Sequence, residues 1–180
     1  MALLPTSILP FWIGPHPEPM AAPHSKSGLG AFFGICYTAG MYARLYAPSM
    51  AGDWGWYPRL SKPAWAPTPQ LTGPVWMVLY ACMAVAGWRV WRLGGFRLVP
   101  IAGIGFGVQL FLQAIWSTLF YGSQSTLAGF VDLVCWFGLV TTLWFTYSSI
   151  DKLAGRLWLA YLMWIGFQTA VNGVIWWRNG

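Results

Sequence analysis

The chain has 180 residues, of which 57% are hydrophobic and only 8% are charged, and its formal net charge at neutral pH is +6. A soluble globular domain carries about a quarter of its residues as Asp, Glu, Lys and Arg, so this composition excludes an ordinary soluble domain. The 10 basic residues are scattered along the chain, which excludes the concentrated positive patch of a nucleic-acid-binding protein. The composition instead predicts one all-α integral membrane domain.

The first 26 residues form a segment of their own, because prolines recur through them too often for a helix to continue. The apolar stretch at residues 8–13 is too short for the core of a signal sequence, and no basic residue precedes it. We predict that residues 1–26 are an extended, non-spanning extension that lies on the membrane interface or on a partner.

The uncharged stretches of residues 27–180 predict five transmembrane helices, since one span takes about 20 mainly apolar residues. The uncharged stretch at 98–131 is too long for one span, and the polar run at 122–126 divides it as a tight turn. Basic residues in the short connections favour a cytoplasmic N-terminus. We expect a multi-pass protein of a bacterial membrane, with helices at about 28–46, 74–92, 98–120, 126–149 and 154–177.

The chain contains 14 tryptophans, more than interfacial belts alone explain. Between Trp54 and Pro69, aromatic residues alternate with prolines in a connection that is too long for a simple turn. Prolines stiffen such a loop, and connecting loops often carry function. We therefore predict that this first loop folds back as a lid over one end of the bundle.

Several motifs between residues 28 and 180 carry a family resemblance. The first loop contains W-Y-x-x-L-x-K-P-x-W from Trp56 to Trp65, and W-x-x-L-Y follows from Trp76 to Tyr80. The later helices continue the pattern with Gln109, Trp116-Ser117, Asp132, Tyr161-x-x-Trp164-x-x-Phe167, Val171-Asn172 and Asn179. In this order and spacing, the chain resembles the tryptophan-rich sensory protein/translocator protein family, TspO/MBR.

The resemblance implies a five-helix bundle, commonly a homodimer, with a ligand pocket closed by the first loop. Family ligands are tetrapyrroles such as protoporphyrin IX and haem, and in many members sterols or synthetic drugs. No cofactor is required, and a bound porphyrin, haem, other pigment or lipid remains open. By position, the resemblance assigns Trp76 and Trp164 to the pocket wall. The residues that match the loop signature of the family are Tyr57, Lys62, Pro63 and Trp65.

A second group of candidate ligand-binding residues lies on the third and fifth helices. Gln109, Gln113 and Trp116 share one helical face, which fits either hydrogen bonds between helices or pocket lining. Gln113 stands where the family usually has Asn. Gln168 replaces a small pocket residue of the family and adds bulk and a polar amide.

Neither a catalytic group nor a metal site is predicted. The two histidines, His16 and His24, both precede the bundle, so no axial haem ligand and no nucleophile–base pair can be assembled in it. Asp132 is the only acidic residue in a predicted span, and either a hydrogen bond between helices or a ligand or ion role explains it. The residues favour binding over catalysis, while the resemblance leaves light-dependent porphyrin degradation open.

Gly103 and Gly107 form a GxxxG pattern on the third helix, where small residues allow close helix packing. Packing within one chain, a homodimer, and contact with a larger complex all fit.

The leading hypothesis is a membrane protein that binds a tetrapyrrole or similar flat apolar ligand for sensing, handling or transport. The alternative is an accessory subunit of a larger, possibly photosynthetic pigment–protein, complex that uses the N-terminal extension and the Gly103/Gly107 face. Lipid is an expected partner and nucleic acid is not.

Overall fold

The computed structural model describes residues 26–42, 45, 55–93, 96 and 99–180. No strand occurs in this described part of the chain, and a π-helical turn at Thr118–Gly122 extends the fourth helix. The predicted N-terminal extension lies outside the described residues except for Lys26. The helices are α1 Lys26–Tyr42, α2 Trp56–Arg59, α3 Pro69–Arg92, α4 Pro100–Ser117, α5 Thr126–Ile150 and α6 Lys152–Asn179.

The all-α membrane bundle predicted from the sequence is confirmed. Among the residues that the structure describes, four segments are long and apolar enough to cross a membrane: Gln70–Arg92, Pro100–Gly122, Thr126–Ile150 and Lys152–Asn179. The described part of α1 has 17 residues, slightly fewer than a typical span of about 20 residues. The described residues form six α-helices rather than the predicted five, because the one-turn helix α2 forms within the first loop.

The five longer helices pack side by side in the order α1, α3, α6, α5 and α4, and α4 contacts α1 again. The antiparallel pair α5 and α6 is in contact along its length. The rings of Tyr147 and Trp158 lie 5.0 Å apart near their connection, and those of Phe130 and Trp176 lie 5.3 Å apart at the other end. Large aromatic side chains therefore fill the interior, while the outer apolar side chains are left to lipid.

Two short connections hold the helices in this arrangement. The predicted division at residues 122–126 is a turn in which Gln124 adopts a φ of 51° and Ser125 Oγ accepts from Ala128 N at 3.2 Å. Asp151 is the single residue between α5 and α6, and its Oδ1 accepts from Ala154 N at 2.7 Å. At the start of α5 and of α6, a side-chain oxygen thus accepts from a backbone N–H that has no partner within the helix.

Helix α3 begins at Pro69, earlier than the start near residue 74 that the sequence predicted. Proline suits the first turn because it has no N–H to leave unpaired. The Thr68 carbonyl accepts from the amides of Leu71 and Thr72 at 3.0 and 2.9 Å and completes this turn. Pro74 therefore lies inside the helix, where membrane helices tolerate the loss of one backbone hydrogen bond.

Candidate functional site

A cavity of about 780 Å³ lies in the bundle beneath the part of the first loop at residues 55–68, here named the roof segment. Its volume is within the range of about 300–1,000 Å³ typical of ligand pockets. Side chains from α1, α3, α4, α5, α6 and the roof segment line it. The aromatic lining residues are Tyr37, Tyr57, Trp76, Tyr80, Trp116, Phe120, Tyr121 and Trp136.

Trp76 on α3 is at the centre of the aromatic wall. Its ring stacks on Tyr80 at 5.5 Å and on Trp136 at 6.0 Å between centroids. The edge-on neighbours are Tyr161 and Trp164, both at 6.3 Å. Aromatic contacts of this kind each add to the free energy of area burial, so the wall has a fixed shape before any ligand binds.

The end of α4 supplies a second aromatic group under the roof segment. The rings of Trp116 and Phe120 stack with centroids 5.1 Å apart. Trp56 and Tyr57 of α2 contact Phe120 edge-on at 5.2 and 6.0 Å, and Tyr57 also contacts Tyr121 at 5.6 Å. Burial against these rings raises the pKa of Tyr57 above its usual value. The roof segment therefore packs closely on the bundle.

Lys62 holds the roof segment in its fold. Its ammonium group donates to the carbonyls of Tyr57, Pro58 and Leu60 at 2.8, 3.0 and 2.9 Å. It also lies 4.8 Å from the centroid of the Tyr57 ring, within cation–π range. Partial burial lowers the pKa of Lys62. Three carbonyl acceptors use the three donors of an ammonium group, so Lys62 is committed to the loop itself.

The C-terminal end of α6 contacts the outer side of the roof segment. Arg178 Nη1 donates to the carbonyl of Lys62 at 2.9 Å, and Asn179 bonds to the neighbouring Ser61. In the roof segment, Pro63 is buried, whereas Trp65 is half-exposed and packs on Phe167 at 5.7 Å.

Buried amides give the cavity its polar character. On α6, Gln168 and Asn172 are only 9% and 3% exposed, and neither side-chain oxygen has a hydrogen-bond partner. Asn172 uses its Nδ2 to donate to the Gln168 carbonyl at 3.0 Å. On α4, Gln113 makes a long contact of 3.5 Å with the Tyr161 hydroxyl and also interacts with the Tyr80 hydroxyl, while its Nε2 is buried without a well-aligned partner. The three residues line one cavity.

The cavity extends to the outer surface between α1 and α3. Met41 and Met77 belong to its lining, and they are 57% and 54% exposed. Both side chains are apolar and belong to the helical bundle, so we expect this side of the cavity to face the acyl chains of the membrane. No charged side chain lines the cavity among the residues that the structure describes.

The structure places the predicted ligand-binding residues in two groups. Tyr57, Trp76, Gln113, Trp116 and Gln168 line the cavity. The others are not part of the lining: Lys62, Pro63, Trp65, Gln109 and Trp164.

Sequence reasoning missed four lining residues that a helical spacing could have revealed. Asn172 follows Gln168 by four residues, so the two lie on one face of α6. Trp136 follows Asp132 by the same interval on α5, and the Trp136 ring stacks on Trp76. In the same way, Phe120 and Tyr121 continue the helical face that Gln113 and Trp116 begin.

Gln109, Asp132 and the two glycines complete the predicted set. Gln109 is fully buried and its Oε1 accepts from the Tyr161 hydroxyl at 2.9 Å. Asp132 is buried outside the cavity lining, and its Oδ2 has no partner. A Cβ added to Gly103 would meet Phe96 of the same chain at 2.6 Å, whereas one added to Gly107 would meet no atom within 4 Å.

Comparisons with known proteins agree with this architecture. A model of the TspO/MBR family matches residues 32–178. The Translocator protein of Homo sapiens is 34% identical over 132 residues, which are 69% of this chain and 78% of that protein. The Tryptophan-rich protein TspO of Chlorobaculum tepidum is 34% identical over 149 residues, 82% of this chain and 92% of that protein. Protein CrtK of Rhodobacter capsulatus is 28% identical over 150 residues, 82% of this chain and 90% of that protein.

Proposed function

This chain belongs to the TspO/MBR family of membrane proteins, and from that premise we propose that it binds a flat, mainly apolar ligand of the tetrapyrrole class beneath the roof segment. The ligand is sensed, handled or transported in the membrane. The observation that carries this proposal is the cavity of about 780 Å³ whose wall is built around Trp76, Tyr80 and Trp136.

The shape and chemistry of the cavity support a planar ligand. Aromatic side chains line several of its sides, and flat ring systems stack well on such surfaces. Binding depends on shape and stacking, because no histidine lies in the described cavity to ligate a metal. The name of the human relative, Translocator protein, supports a role in moving the ligand.

The test is a titration of the purified full chain in lipid nanodiscs with protoporphyrin IX, followed by tryptophan quenching and by the absorbance of the porphyrin. Wild-type protein should bind with a saturable, micromolar dissociation constant. Trp76→Ala should raise that constant by about tenfold, because truncating one buried aromatic contact removes stacking and leaves a gap.

Trp177→Ala is the matched control, because it also removes one indole but from a side chain that is 78% exposed. It should lower the fluorescence amplitude and leave the dissociation constant unchanged. A wild-type titration without saturation would contradict the proposed function, as would equal effects of the two substitutions.

A second candidate function is that of a subunit in a homodimer or larger membrane complex. The observation in its favour is the outer face of α4, where Gly107 has open space beside it and Ile104 and Phe111 are 67% and 62% exposed. A helix from another chain could pack closely there. On native gels after gentle solubilisation, wild-type protein should migrate above the monomer and Gly107→Leu at the monomer. Monomeric wild-type protein would count against this candidate.

A further inference from the structure

We propose that the cavity selects a ligand whose buried end is uncharged and carries a hydroxyl, carbonyl, amide or ring N–H group, and that Gln168 and Asn172 bind this group. The inference rests on the proposed function, because it assigns the ligand chemistry of the same cavity. An anionic tetrapyrrole is accommodated only with its carboxylates outside the amide-lined part.

The first argument is the state of the two α6 amides. Gln168 and Asn172 belong to the cavity lining, and their side-chain oxygens, Oε1 and Oδ1, are buried without a hydrogen-bond partner. A buried polar group without a partner destabilises a protein, so such groups are almost always satisfied. A ligand hydroxyl or N–H group that donates a hydrogen bond would satisfy these oxygens, whose side chains are four residues apart on one helical face.

The second argument is the charge of the surroundings. A carboxylate in an apolar cavity needs a cation close by. The two cations of the roof segment, Arg59 and Lys62, lie outside the cavity lining, and Lys62 already donates to three carbonyls. The described lining contains no cation. The cavity can therefore donate hydrogen bonds to an anion, but it provides no positive charge to pair with it.

The third argument is the versatility of an amide. Asn and Gln side chains carry both an acceptor oxygen and two N–H donors, and Gln113 on α4 adds a third amide to the same cavity lining. A neutral donor can pair with the amide oxygens, and a neutral acceptor can pair with the amide N–H groups. A carboxylate differs from a neutral acceptor by its full negative charge, which the carbonyl oxygens of Gln168 and Asn172 would repel.

The test compares protoporphyrin IX with its dimethyl ester, which differ in the charge of the two side chains and share the same ring. Both are titrated into the full chain in nanodiscs, and each dissociation constant is corrected for partition into empty nanodiscs. Wild-type protein should bind the ester at least about tenfold more tightly than the acid, because the acid has to keep its carboxylates outside the amide-lined part and loses the hydrogen bonds that the neutral ester can make there.

Gln168→Leu keeps the size of the side chain and removes the amide. It should weaken binding of the ester by about fivefold, the loss expected for one net hydrogen bond. Gln168→Glu adds a negative charge at the same place. It should weaken binding of protoporphyrin IX more than binding of its dimethyl ester. Met163→Ala, at a lipid-facing position on the same helix, should change neither constant. Variant-to-wild-type ratios need no partition correction.

The outcomes separate the two proposals. If neither compound binds wild-type protein, the proposed function and this inference both fail. If the acid binds as tightly as the ester or more tightly, the cavity does hold charge and the inference alone is overturned. The same conclusion follows if both compounds bind and neither Gln168→Leu nor Gln168→Glu changes the ester constant while the proteins remain folded by circular dichroism.

Discussion

The side-chain amide of Asn179 pairs with the backbone of Ser61 in both directions. Asn179 Oδ1 accepts from Ser61 N at 2.8 Å, and its Nδ2 donates to the Ser61 carbonyl at 3.0 Å. This Nδ2 also donates to the Ile175 carbonyl at 2.7 Å, which fixes the amide on the last turn of α6. The roof segment is thus hydrogen-bonded to the end of α6 as one strand is to another.

Removing this pair should speed ligand exchange. In Asn179→Ala the two bonds to Ser61 are lost, and exposed hydrogen bonds of this kind are each worth about 0.5–1.5 kcal/mol. We expect the dissociation rate of a bound porphyrin to rise by about threefold to tenfold. Stopped-flow fluorescence after dilution into empty nanodiscs measures this rate.

Asn179→Asp provides the matched control, because a carboxylate can accept from Ser61 N but cannot donate to the Ser61 carbonyl. Its dissociation rate should lie between those of wild-type protein and Asn179→Ala. Identical rates in all three proteins would show that the roof segment does not limit exchange.

Substitution of Lys62 distinguishes a ligand-binding cation from a loop-holding one. The ammonium group binds three carbonyls of its own loop. Lys62→Met should therefore loosen the roof segment. It should raise the dissociation constants of protoporphyrin IX and of its dimethyl ester by the same factor, about threefold to tenfold. Parallel titrations of the two compounds measure the factor.

A direct role of Lys62 in binding carboxylates would give a different result. Lys62→Met would then weaken only the acid and leave the ester unchanged. Limited proteolysis provides an independent readout, because a loosened roof segment should be cleaved faster by chymotrypsin at its aromatic residues in the absence of ligand.

The behaviour of Lys62 illustrates what sequence can and cannot predict here. The long uncharged stretches and the polar run at 122–126 predict the membrane helices and the turn between α4 and α5, because apolar length and turn chemistry act locally. The position of an ammonium group in a loop depends on how the chain curls back. Its spacing from Tyr57 does not reveal that their carbonyl and ammonium groups meet.

The cavity lining was predictable in part for the same reason. Gln113 and Trp116 follow a helical face that the sequence displays. The family motifs assign Trp76 and Trp164 alike to the pocket wall. Only Trp76 lines the cavity, and Trp164 contacts the Trp76 ring edge-on. Which of two tryptophans faces a space depends on the rotation of each helix, and packing against neighbouring helices sets that rotation.

Asp151 should make stability depend on pH in acid. Two hydrogen bonds from Arg89, at 2.9 and 2.7 Å, lower the pKa of Asp151 from 3.8 to about 2, and the Ala154 amide contributes. A carboxyl with a lowered pKa stabilises the fold fully above about pH 4, and this contribution is lost as the pH falls towards 2.

Asp151→Asn tests this dependence, since it keeps an oxygen to cap α6 and removes the charge. At pH 6 it should be less stable than wild-type protein by about 1–2 kcal/mol. The difference in thermal midpoint should shrink between pH 4 and pH 2, as followed by intrinsic fluorescence in detergent. A constant difference over that range would exclude the ion pair as its cause.

Gly155 permits the close approach of α6 to α5. A Cβ added there would lie 2.6 Å from Ser148 Cα, which is backbone and cannot rotate away. Gly155→Ala should therefore destabilise the protein by about 1–3 kcal/mol through overpacking. Thermal unfolding in detergent measures the effect.

Gly138→Ala is the control for that substitution. Gly138 is helical and has no atom within 4 Å of an added Cβ. Alanine there should raise stability by about 0.5–1 kcal/mol, because the unfolded chain loses conformational freedom. Equal effects of the two substitutions would mean that the connection between α5 and α6 tolerates a larger separation.

The exposed methionines at the α1–α3 side, Met41 and Met77, have a consequence for how occupancy is controlled. A hydrophobic compound dissolves in the bilayer far more readily than in water, and it can pass from there into the cavity sideways. We expect saturation to follow the mole fraction of ligand per lipid rather than its total concentration. Titration curves at two lipid-to-protein ratios should then coincide when they are plotted against ligand per lipid, and they should diverge when they are plotted against total ligand concentration.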